Sequence, residues 1–487
     1  IPSGTVGFNA GMLDGVSSVT IPSSVKYVSG YASVEEGEVL RINVPSMSYW
    51  VNAGFAGTIA GGYYRIFANG SEVTTWNPTS APKSIPDSWM EGCLSIKSLT
   101  LPNGVTSIGD SAFYNCRNLA SVKLPASMKS IGWGAFSSDE IEEYDEENDD
   151  YTYRYESALK TVTLNERLEY IGDEAFAHCV SLESVSIPST IEEFGGDVFA
   201  SCTSLKSVTF AEGLKSIGYA MFWNCRAIES VKMPSSMREI GDSAFFCEEI
   251  EVYNRETDDY DYFYESALKS VELNEGLEYI GDEAFAHCVS LESIVIPSTV
   301  TYFYDAFYGC TALKSANIAN GVREVDNCAF EDCLSLETVA LPDSVVNIGG
   351  SAFRGCVALK QVVLPGKLET IGQDAFRGCV SLNGVSLPVT VSRIGIGAFM
   401  ECDALVDFSI ASGNKRYQAA GGLIIDYVSH TVIGPYGSPT EVVIPYGVRN
   451  IGESAFEHSV KFRSYDAAAE FEYSSKVQKV ELLLLFF

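Results

Sequence analysis

The sequence predicts an α/β solenoid: a curved stack of short repeats with a parallel strand ladder and short helical turns. Residues 267–293 recur almost unchanged at residues 158–184, and less similar copies of the same pattern fill most of the 487 residues. Successive copies lie about 23 residues apart. A unit this short cannot bury its own apolar side chains, so the units must stack on one another.

Each repeat begins with an alternating apolar segment that predicts a strand. In most copies a proline follows, and its missing N–H group ends the ladder. The next residues, as in 105–108, alternate again and predict a second short strand or extended segment. The first strands are centred near Leu101, Leu124, Leu164, Ile187, Phe210, Met233, Leu273, Ile296, Ile318, Leu341, Leu364 and Leu387.

The rest of the repeat has an Asp or Ser followed by apolar residues three apart, as in residues 110–116. This spacing suits one turn of α- or 3₁₀-helix. The phenylalanine of this segment is predicted to lie buried between successive repeats, because stacked units share one core. Four examples are Phe176, Phe285, Phe353 and Phe376.

In residues 108–125 an Ile-Gly pair precedes Ala-Phe and Cys, and the Leu-Pro end of the next strand follows. The residues that carry this pattern are Ile108, Gly109, Ala112, Phe113, Cys116, Leu119, Leu124 and Pro125. With it the chain resembles the BspA-type leucine-rich-repeat family over roughly residues 93–460. Members are similar in being surface-exposed or secreted proteins that bind host or matrix partners. The resemblance therefore implies an extracellular or cell-surface location, although this chain shows no signal peptide.

Composition limits the partners. The formal net charge of −32 argues against nucleic acid and against anionic lipid, and would suit a basic partner. A hydrophobic content of 46% excludes wholesale disorder. We expect no membrane span in this chain, because no apolar run approaches the ~20 residues that one requires. The start at Ile1 without Met leads us to expect a mature or trimmed product.

Most of the 13 cysteines occupy one position of the repeat. One cysteine in each repeat at an apolar position predicts a column of free, buried thiols. Cys247 and Cys328 lie outside this column, and no spacing typical of a metal site occurs. The column comprises Cys93, Cys116, Cys179, Cys202, Cys225, Cys288, Cys310, Cys333, Cys356, Cys379 and Cys402.

We expect three regions: an N-terminal cap with one decayed repeat at 1–92, the solenoid at 93–462, and a C-terminal cap or tail at 463–487. A longer duplication lies within the solenoid, because residues 93–201 align with 202–310. Each half carries an insert, at 139–156 and at 248–265. Alternating tyrosines beside an acidic centre predict that both inserts are β-hairpins.

The inserts hold our first candidate binding residues. Their carboxylates could contact a basic protein, bind Ca²⁺, or form a solvated acidic loop, and the tyrosines favour a protein contact. No glycine permits the sharp turn of a chelating loop, so we predict no metal site. The candidates are Tyr144, Tyr151, Tyr153, Tyr155, Tyr253, Tyr260, Tyr262, Tyr264, Glu142, Asp149, Asp150, Asp258 and Asp259.

A second candidate is a strip of hydroxyl residues, each just before the first apolar residue of a strand. Stacked hydroxyls about 4.8 Å apart can hydrogen-bond along the ladder. Either they serve tight packing between loop and strand, or they form a polar surface that receives a glycan or a peptide. The strip includes Ser184, Ser207, Ser230, Ser270 and Ser293.

Catalysis is not expected. His178 and His287 each precede a column cysteine, and a Cys–His pair can act as nucleophile and base only where the side chains meet. Neighbours on one turn point apart, so we predict no catalytic residue and no cofactor. We expect a non-enzymatic, adhesin-like protein that recognises a protein or glycan. The alternative is an accessory binding module of a larger cell-surface enzyme.

Overall fold

A computed structural model describes residues 1–464, except 36, 53–57, 61, 80, 146–149, 255–256, 258, 440, 453–454 and 457–460. The chain forms two compact units, Ile1–Pro234 and Ser235–Phe487. Both are built from short parallel strands about 23 residues apart, so the predicted repeat solenoid is confirmed.

The first strand of each repeat joins what we call the first ladder. Its strands pair in parallel and in register, and their second residue is buried in most repeats. In the second unit Gln361 makes single bridges to Thr338 and Gly384 in place of a full strand. The strands are Thr75–Trp76, Ser98–Thr100, Ser121–Lys123, Thr161–Thr163, Ser184–Ile187, Ser207–Phe210 and Ser230–Lys232 in the first unit, and Ser270–Glu272, Ser293–Ile296, Ser315–Ile318, Thr338–Ala340, Gly384–Leu387 and Asp407–Ile410 in the second.

Two-residue strands at the next position of each repeat form the second ladder, as the alternation predicted. The apolar residue of each pair is buried, except in Glu193–Phe194, where it is half-buried. The strands are Ser84–Ile85, Ser107–Ile108, Ser130–Ile131, Tyr170–Ile171, Glu193–Phe194 and Ser216–Ile217 in the first unit, and Glu239–Ile240, Tyr279–Ile280, Glu324–Val325, Asn347–Ile348, Thr370–Ile371 and Arg393–Ile394 in the second.

The third segment corrects the sequence prediction, because it forms successive turns and no helical turn. Left-handed residues interrupt it, such as Glu174 (φ 54°) and His178 (φ 59°). Its N–H groups donate to the next repeat: Phe176 N to Val198 O at 2.9 Å, and His178 N to Ala200 O at 2.8 Å. The N–H groups of a single helical turn have no acceptors within that turn. In stacked repeats they donate instead to carbonyl groups of the adjacent repeat.

Helix is correspondingly scarce in the described residues. It consists of the α-helix Met47–Asn52 and the 3₁₀ turn Ala10–Leu13, both near the N-terminus and outside the regular repeats. Within the α/β class predicted from the sequence, the repeats themselves are therefore built of strands and turns.

A column of stacked phenylalanines fills the core, as predicted. Successive ring centroids lie 5.2–5.7 Å apart in the first unit and 5.2–5.6 Å apart in the second. Phe176, Phe285, Phe353 and Phe376 have no solvent-exposed surface. The columns are Phe113, Phe136, Phe176, Phe199 and Phe222, and then Phe245, Phe285, Phe307, Phe330, Phe353, Phe376 and Phe399.

The cysteines are free, and all are buried except Cys328, which is half-buried. The prediction of a buried thiol column is therefore confirmed. From Cys179 onward, within each unit, column thiols donate to the carbonyl of a phenylalanine in the preceding repeat, such as Cys202 Sγ to Phe176 O at 3.3 Å and Cys379 Sγ to Phe353 O at 3.2 Å. A cysteine here both fills the core and occupies a backbone acceptor.

Irregular strands flank the ladders, and the expected boundaries at 92 and 462 remain predictions. Thr75–Trp76 and Ser84–Ile85 already belong to the ladders before residue 93. The N-terminal strands are Gly7–Asn9, Ser18–Thr20, Tyr27–Ser29, Ala32–Ser33, Val39–Val44, Ile59–Ala60, Tyr63–Ala68 and Ser71–Glu72. The C-terminal strands are Tyr417–Ala420, Leu423–Asp426, Thr431–Pro435, Glu441–Ile444, Asn450–Ile451 and Lys461–Ser464. Most of the predicted tail lies outside the described residues.

Candidate functional site

Each insert contains an antiparallel pair of strands that belongs to neither ladder. In the first hairpin Glu140–Asp145 pairs with Asp150–Tyr155, and in the second Glu249–Asn254 pairs with Asp259–Tyr264. Side chains of cross-strand partners lie on the same face of a hairpin. We call one face the Tyr face. Its register pairs are Glu140–Tyr155, Glu142–Tyr153 and Tyr144–Tyr151, and Glu249–Tyr264, Glu251–Tyr262 and Tyr253–Tyr260.

Four tyrosines of this face are exposed, and the hydroxyl groups of two of these four engage carboxylates. Tyr153 donates its hydroxyl to Glu142 Oε1 at 3.1 Å, and Tyr262 donates to Glu251 Oε1 at 2.8 Å. These hydrogen bonds fix the rings beside a negative charge and leave ring surface open to solvent. The exposed fractions are 48% for Tyr144, 58% for Tyr153, 38% for Tyr260 and 56% for Tyr262.

The last tyrosine of each hairpin attaches it to the solenoid. Tyr155 stacks on His178 with ring centroids 3.9 Å apart, and Tyr264 stacks on His287 at 3.8 Å. Both histidines lie at the same position of the turn segment that follows the insert. Burial lowers the pKa of each imidazole to about 4, so both rings are neutral at physiological pH.

Sequence reasoning missed this anchoring role. A signal was nonetheless present: both repeats that follow an insert have histidine at this position, which elsewhere has it only at His458 in the last repeat. In the second unit Tyr308 and Phe246 contact His287 edge-on, at 4.9 and 5.6 Å. A methyl group on Gly309 would approach the His287 ring to 2.4 Å, so glycine at that position makes room for the imidazole.

The opposite faces of the two hairpins differ. In the first hairpin Arg154 Nε donates to Glu143 Oε2 at 3.2 Å, which makes that face charged. In the second hairpin Val252 and Phe263 are exposed at 46% and 40%. The two copies therefore present a common Tyr face and dissimilar opposite faces.

A cleft of about 480 Å³ lies at the base of the first hairpin, entirely within the first unit. Arg117 places its guanidinium 4.4 Å from the centre of the Tyr63 ring in this cleft. Burial and a hydrogen bond with Asp139 raise the pKa of Tyr114. The carboxylates outnumber the single arginine, so the cleft favours a positively charged group. They are Glu35, Glu91, Asp139, Glu140 and Glu142.

Some of the predicted site residues cannot be placed fully. Asp149 and Asp258 lie outside the described residues, and for Tyr151, Tyr253, Asp150 and Asp259 the structure gives the strand register alone. Across the described part of the chain, no group of three or more His, Cys, Asp or Glu residues is arranged to hold a metal ion.

The hydroxyl strip lies on the solvent side of the first ladder. Ser184 pairs in register with Ser207, Ser207 pairs with Ser230, and in the second unit Ser270 pairs with Ser293; all five are exposed. At the same repeat position Ser121 Oγ donates to Ser98 Oγ at 3.1 Å. A second outward column runs beside it, where Thr209 Oγ1 donates to Ser186 Oγ at 2.8 Å. The strip is therefore a surface of hydroxyl groups.

The neighbouring cysteine and histidine have separate partners. Cys179 Sγ donates to Phe136 O at 3.4 Å, while the His178 ring stacks on Tyr155. Burial raises the pKa of Cys179 well above its ordinary value. A buried thiol of high pKa is a poor nucleophile, so this pair does not form a catalytic dyad.

These features define a parallel-strand solenoid of the leucine-rich-repeat class that carries two tyrosine-rich hairpins. The family model described as BspA type Leucine rich repeat region matches residues 83–203, 146–251, 256–305 and 304–420, with six copies. The chain belongs to this family. Among the described residues, no helix has the length and apolar character needed to cross a membrane.

Several solved structures are similar to this chain. A leucine-rich repeat protein from Bacteroides ovatus is 29% identical, over 67% of this chain and 82% of that protein, with a TM-score of 0.49. One from Eubacterium ventriosum is 20% identical, over 75% and 83%, with a TM-score of 0.43. A leucine rich cell surface protein from Faecalibacterium prausnitzii is 23% identical, over 70% and 86%, with a TM-score of 0.37. No curated protein matches the sequence.

Proposed function

We propose that this chain is a non-enzymatic, adhesin-like recognition protein that acts at the cell surface or after secretion, and that its hairpins contact a protein partner. Membership of the BspA-type family supports the location and the binding role. The negative charge of the chain supports a basic partner over nucleic acid.

The observation that carries this proposal is the exposure of tyrosines on the hairpins. Tyr153 and Tyr262 are 58% and 56% exposed, although each lies on a strand whose last tyrosine is anchored to the solenoid. Tyrosine buries a large surface at a small entropic cost and is enriched where proteins bind one another. The hairpins present such rings on a folded element that is stacked against the solenoid.

A second candidate surface is the outer side of the first ladder, with a glycan as ligand. The observation in its favour is the pair of adjacent hydroxyl columns, in which Ser121 bonds Ser98 and Thr209 bonds Ser186. Hydroxyl groups both donate and accept hydrogen bonds, as sugar hydroxyls require. The alternative function, an accessory binding module of a larger cell-surface enzyme, would use the same surfaces. It differs only in that an enzyme domain would be part of the same protein.

An array of matrix proteins and glycans, probed with the intact chain, tests the proposal. Three further proteins carry a short Gly-Ser linker in place of residues 140–155, of residues 249–264, or of both. A matched control carries Ser207→Glu and Ser230→Glu on the strand face. We expect protein ligands that the intact chain captures and the double replacement loses, while the control retains them. Unchanged capture by all three replacements would place the site elsewhere, and loss in the control alone would favour the glycan surface.

A further inference from the structure

The duplication allows a comparison of the two hairpins as independent copies. All six residues of the Tyr-face register are identical between the copies. On the opposite face only Ile141 and Asp150 keep their identity, and the other four positions differ. The two copies have therefore kept the residues of the Tyr face while the opposite face has changed. The four substituted pairs are Glu143 and Val252, Asp145 and Asn254, Thr152 and Asp261, and Arg154 and Phe263.

Anchoring explains only part of this identity. Tyr155 and Tyr264 must remain aromatic to stack on their histidines. Tyr153 and Tyr262 are also identical, and more than half of each side chain is exposed to solvent. Exposed aromatic rings retained in both copies mark a surface that contacts something outside the chain.

Charge determines the chemistry of the ligand. Residues 139–156 contain ten Asp or Glu and one Arg, for a net charge of −9, and residues 248–265 contain eight and one, for a net charge of −7. Glu142 and Glu251 accept hydrogen bonds from tyrosines of the Tyr face, so negative charge lies beside the exposed rings. Lysine and arginine bind both carboxylates and the faces of tyrosine rings.

Spacing determines the shape of the ligand. The tyrosines of the second strand recur at every second residue, which in a strand is a distance of about 6.8 Å. Side chains on one side of any extended peptide have the same spacing. An extended segment with a basic residue at every second position can therefore place successive cations over successive rings.

We infer that each Tyr face is a complete binding site for an extended segment with Lys or Arg at alternating positions, and that the chain holds two equivalent sites. This inference rests on the proposed function and deepens it. The two sites bind the same sequence pattern because their faces are identical. The dissimilar opposite faces contribute nothing to this specificity.

Calorimetry on the full chain tests the inference with two synthetic octapeptides of equal charge. One alternates lysine and serine, and the other has four lysines followed by four serines. We expect the alternating peptide to bind at two equal sites per chain, at least about 5-fold more tightly than the block peptide. That factor corresponds to about 1 kcal/mol, the scale of a cation–π contact.

Variants locate the sites without changing net charge. Tyr144→Ser with Tyr153→Ser removes the first site, and Tyr260→Ser with Tyr262→Ser removes the second, so each pair leaves one peptide bound per chain. The phenylalanine versions of the same variants keep the rings and retain both sites, which excludes misfolding of the hairpin as the cause. Val252→Ser with Phe263→Ser, and Glu143→Gln with Arg154→Gln, alter the opposite faces and retain both sites.

Equal affinity for the two peptides, a single site, or loss of binding in the opposite-face variants would overturn the inference. A glycan that binds the Tyr faces in place of the basic peptide would overturn it as well. The proposed function is judged separately by the hairpin replacements on the array. If the replacements abolish capture but the alternating peptide does not bind, the proposed function stands and this inference fails.

Discussion

The ring of Tyr264 lies parallel to that of His287, with ring centroids 3.8 Å apart and 3° between the planes. Tyr155 and His178 repeat this arrangement at 3.9 Å and 7°. Each stack joins the end of a hairpin strand to the turn segment of the following repeat. This aromatic contact therefore helps to set the orientation of each hairpin on the solenoid.

Replacement of His287 should loosen the second hairpin and leave the solenoid intact. An aromatic pair contributes about 0.5–1.5 kcal/mol beyond its buried area, so His287→Ala should raise amide exchange in residues 249–264 roughly 2- to 10-fold. Hydrogen exchange measured by mass spectrometry checks this. His178→Ala is the matched control and should affect residues 140–155 alone. Unchanged protection of the second hairpin would show that the stack does not hold it.

The same contact should depend on pH. Burial lowers the histidine pKa from 6.5 to about 4 in the stacked state, so the detached state binds a proton first as the pH falls. Stacking should be fully stable above about pH 6.5 and should weaken progressively toward pH 4. Protection of the hairpin amides, corrected for intrinsic exchange rates, measures this.

His287→Phe is the control for that measurement, because it keeps a ring against Tyr264 and removes the titration. Glu249, which interacts with Tyr264, is present in both proteins, so the difference between them isolates the imidazole. Equal pH dependence in the two proteins would assign the effect to carboxylates.

Truncation of a column phenylalanine should destabilise the protein strongly. Phe285 has no exposed surface and stacks between Phe245 and Phe307, so Phe285→Ala should cost ~3–5 kcal/mol. In a solenoid the loss should be largest in the adjacent repeats. Denaturant unfolding with hydrogen exchange measures both effects. Phe263→Ala, on the exposed hairpin face, is the control and should change stability little. Similar losses for the two variants would contradict the assignment of the core.

The thiols should be protected and reduced. All 13 cysteines are free, and burial raises the pKa of column members such as Cys179 and Cys333 well above the ordinary value. Titration with a thiol reagent should detect at most the half-buried Cys328 in the native protein and all 13 groups after denaturation. Cys328→Ser should abolish the native signal. Few reactive groups after denaturation without reductant would mean that the cysteines are paired.

Much of this protein follows from its sequence. The period, the two ladders, the phenylalanine column and the buried thiols were predictable, because each rests on the identity of single residues at a fixed spacing. Because the repeats stack, residues at the same position of successive repeats form a column. The β-hairpin geometry of the inserts was predictable for a similar reason, since alternation of tyrosine with polar residues within one segment suffices to indicate paired strands.

The tertiary structure decided whatever depends on contacts between repeats. The turn segment resembled a helical turn in sequence, but the N–H groups of Phe176 and His178 find acceptors in the next repeat, and left-handed residues replace the helix. The sequence assigned no function to His178 and His287. In the structure each ring stacks on a tyrosine 23 residues earlier in the chain and so attaches a hairpin to the solenoid. The cleft at the base of the first hairpin likewise brings together Glu91, from the repeats, and Glu142, from an insert. Such contacts form between segments that become neighbours only when the repeats stack. The residue pattern within a single repeat therefore does not predict them.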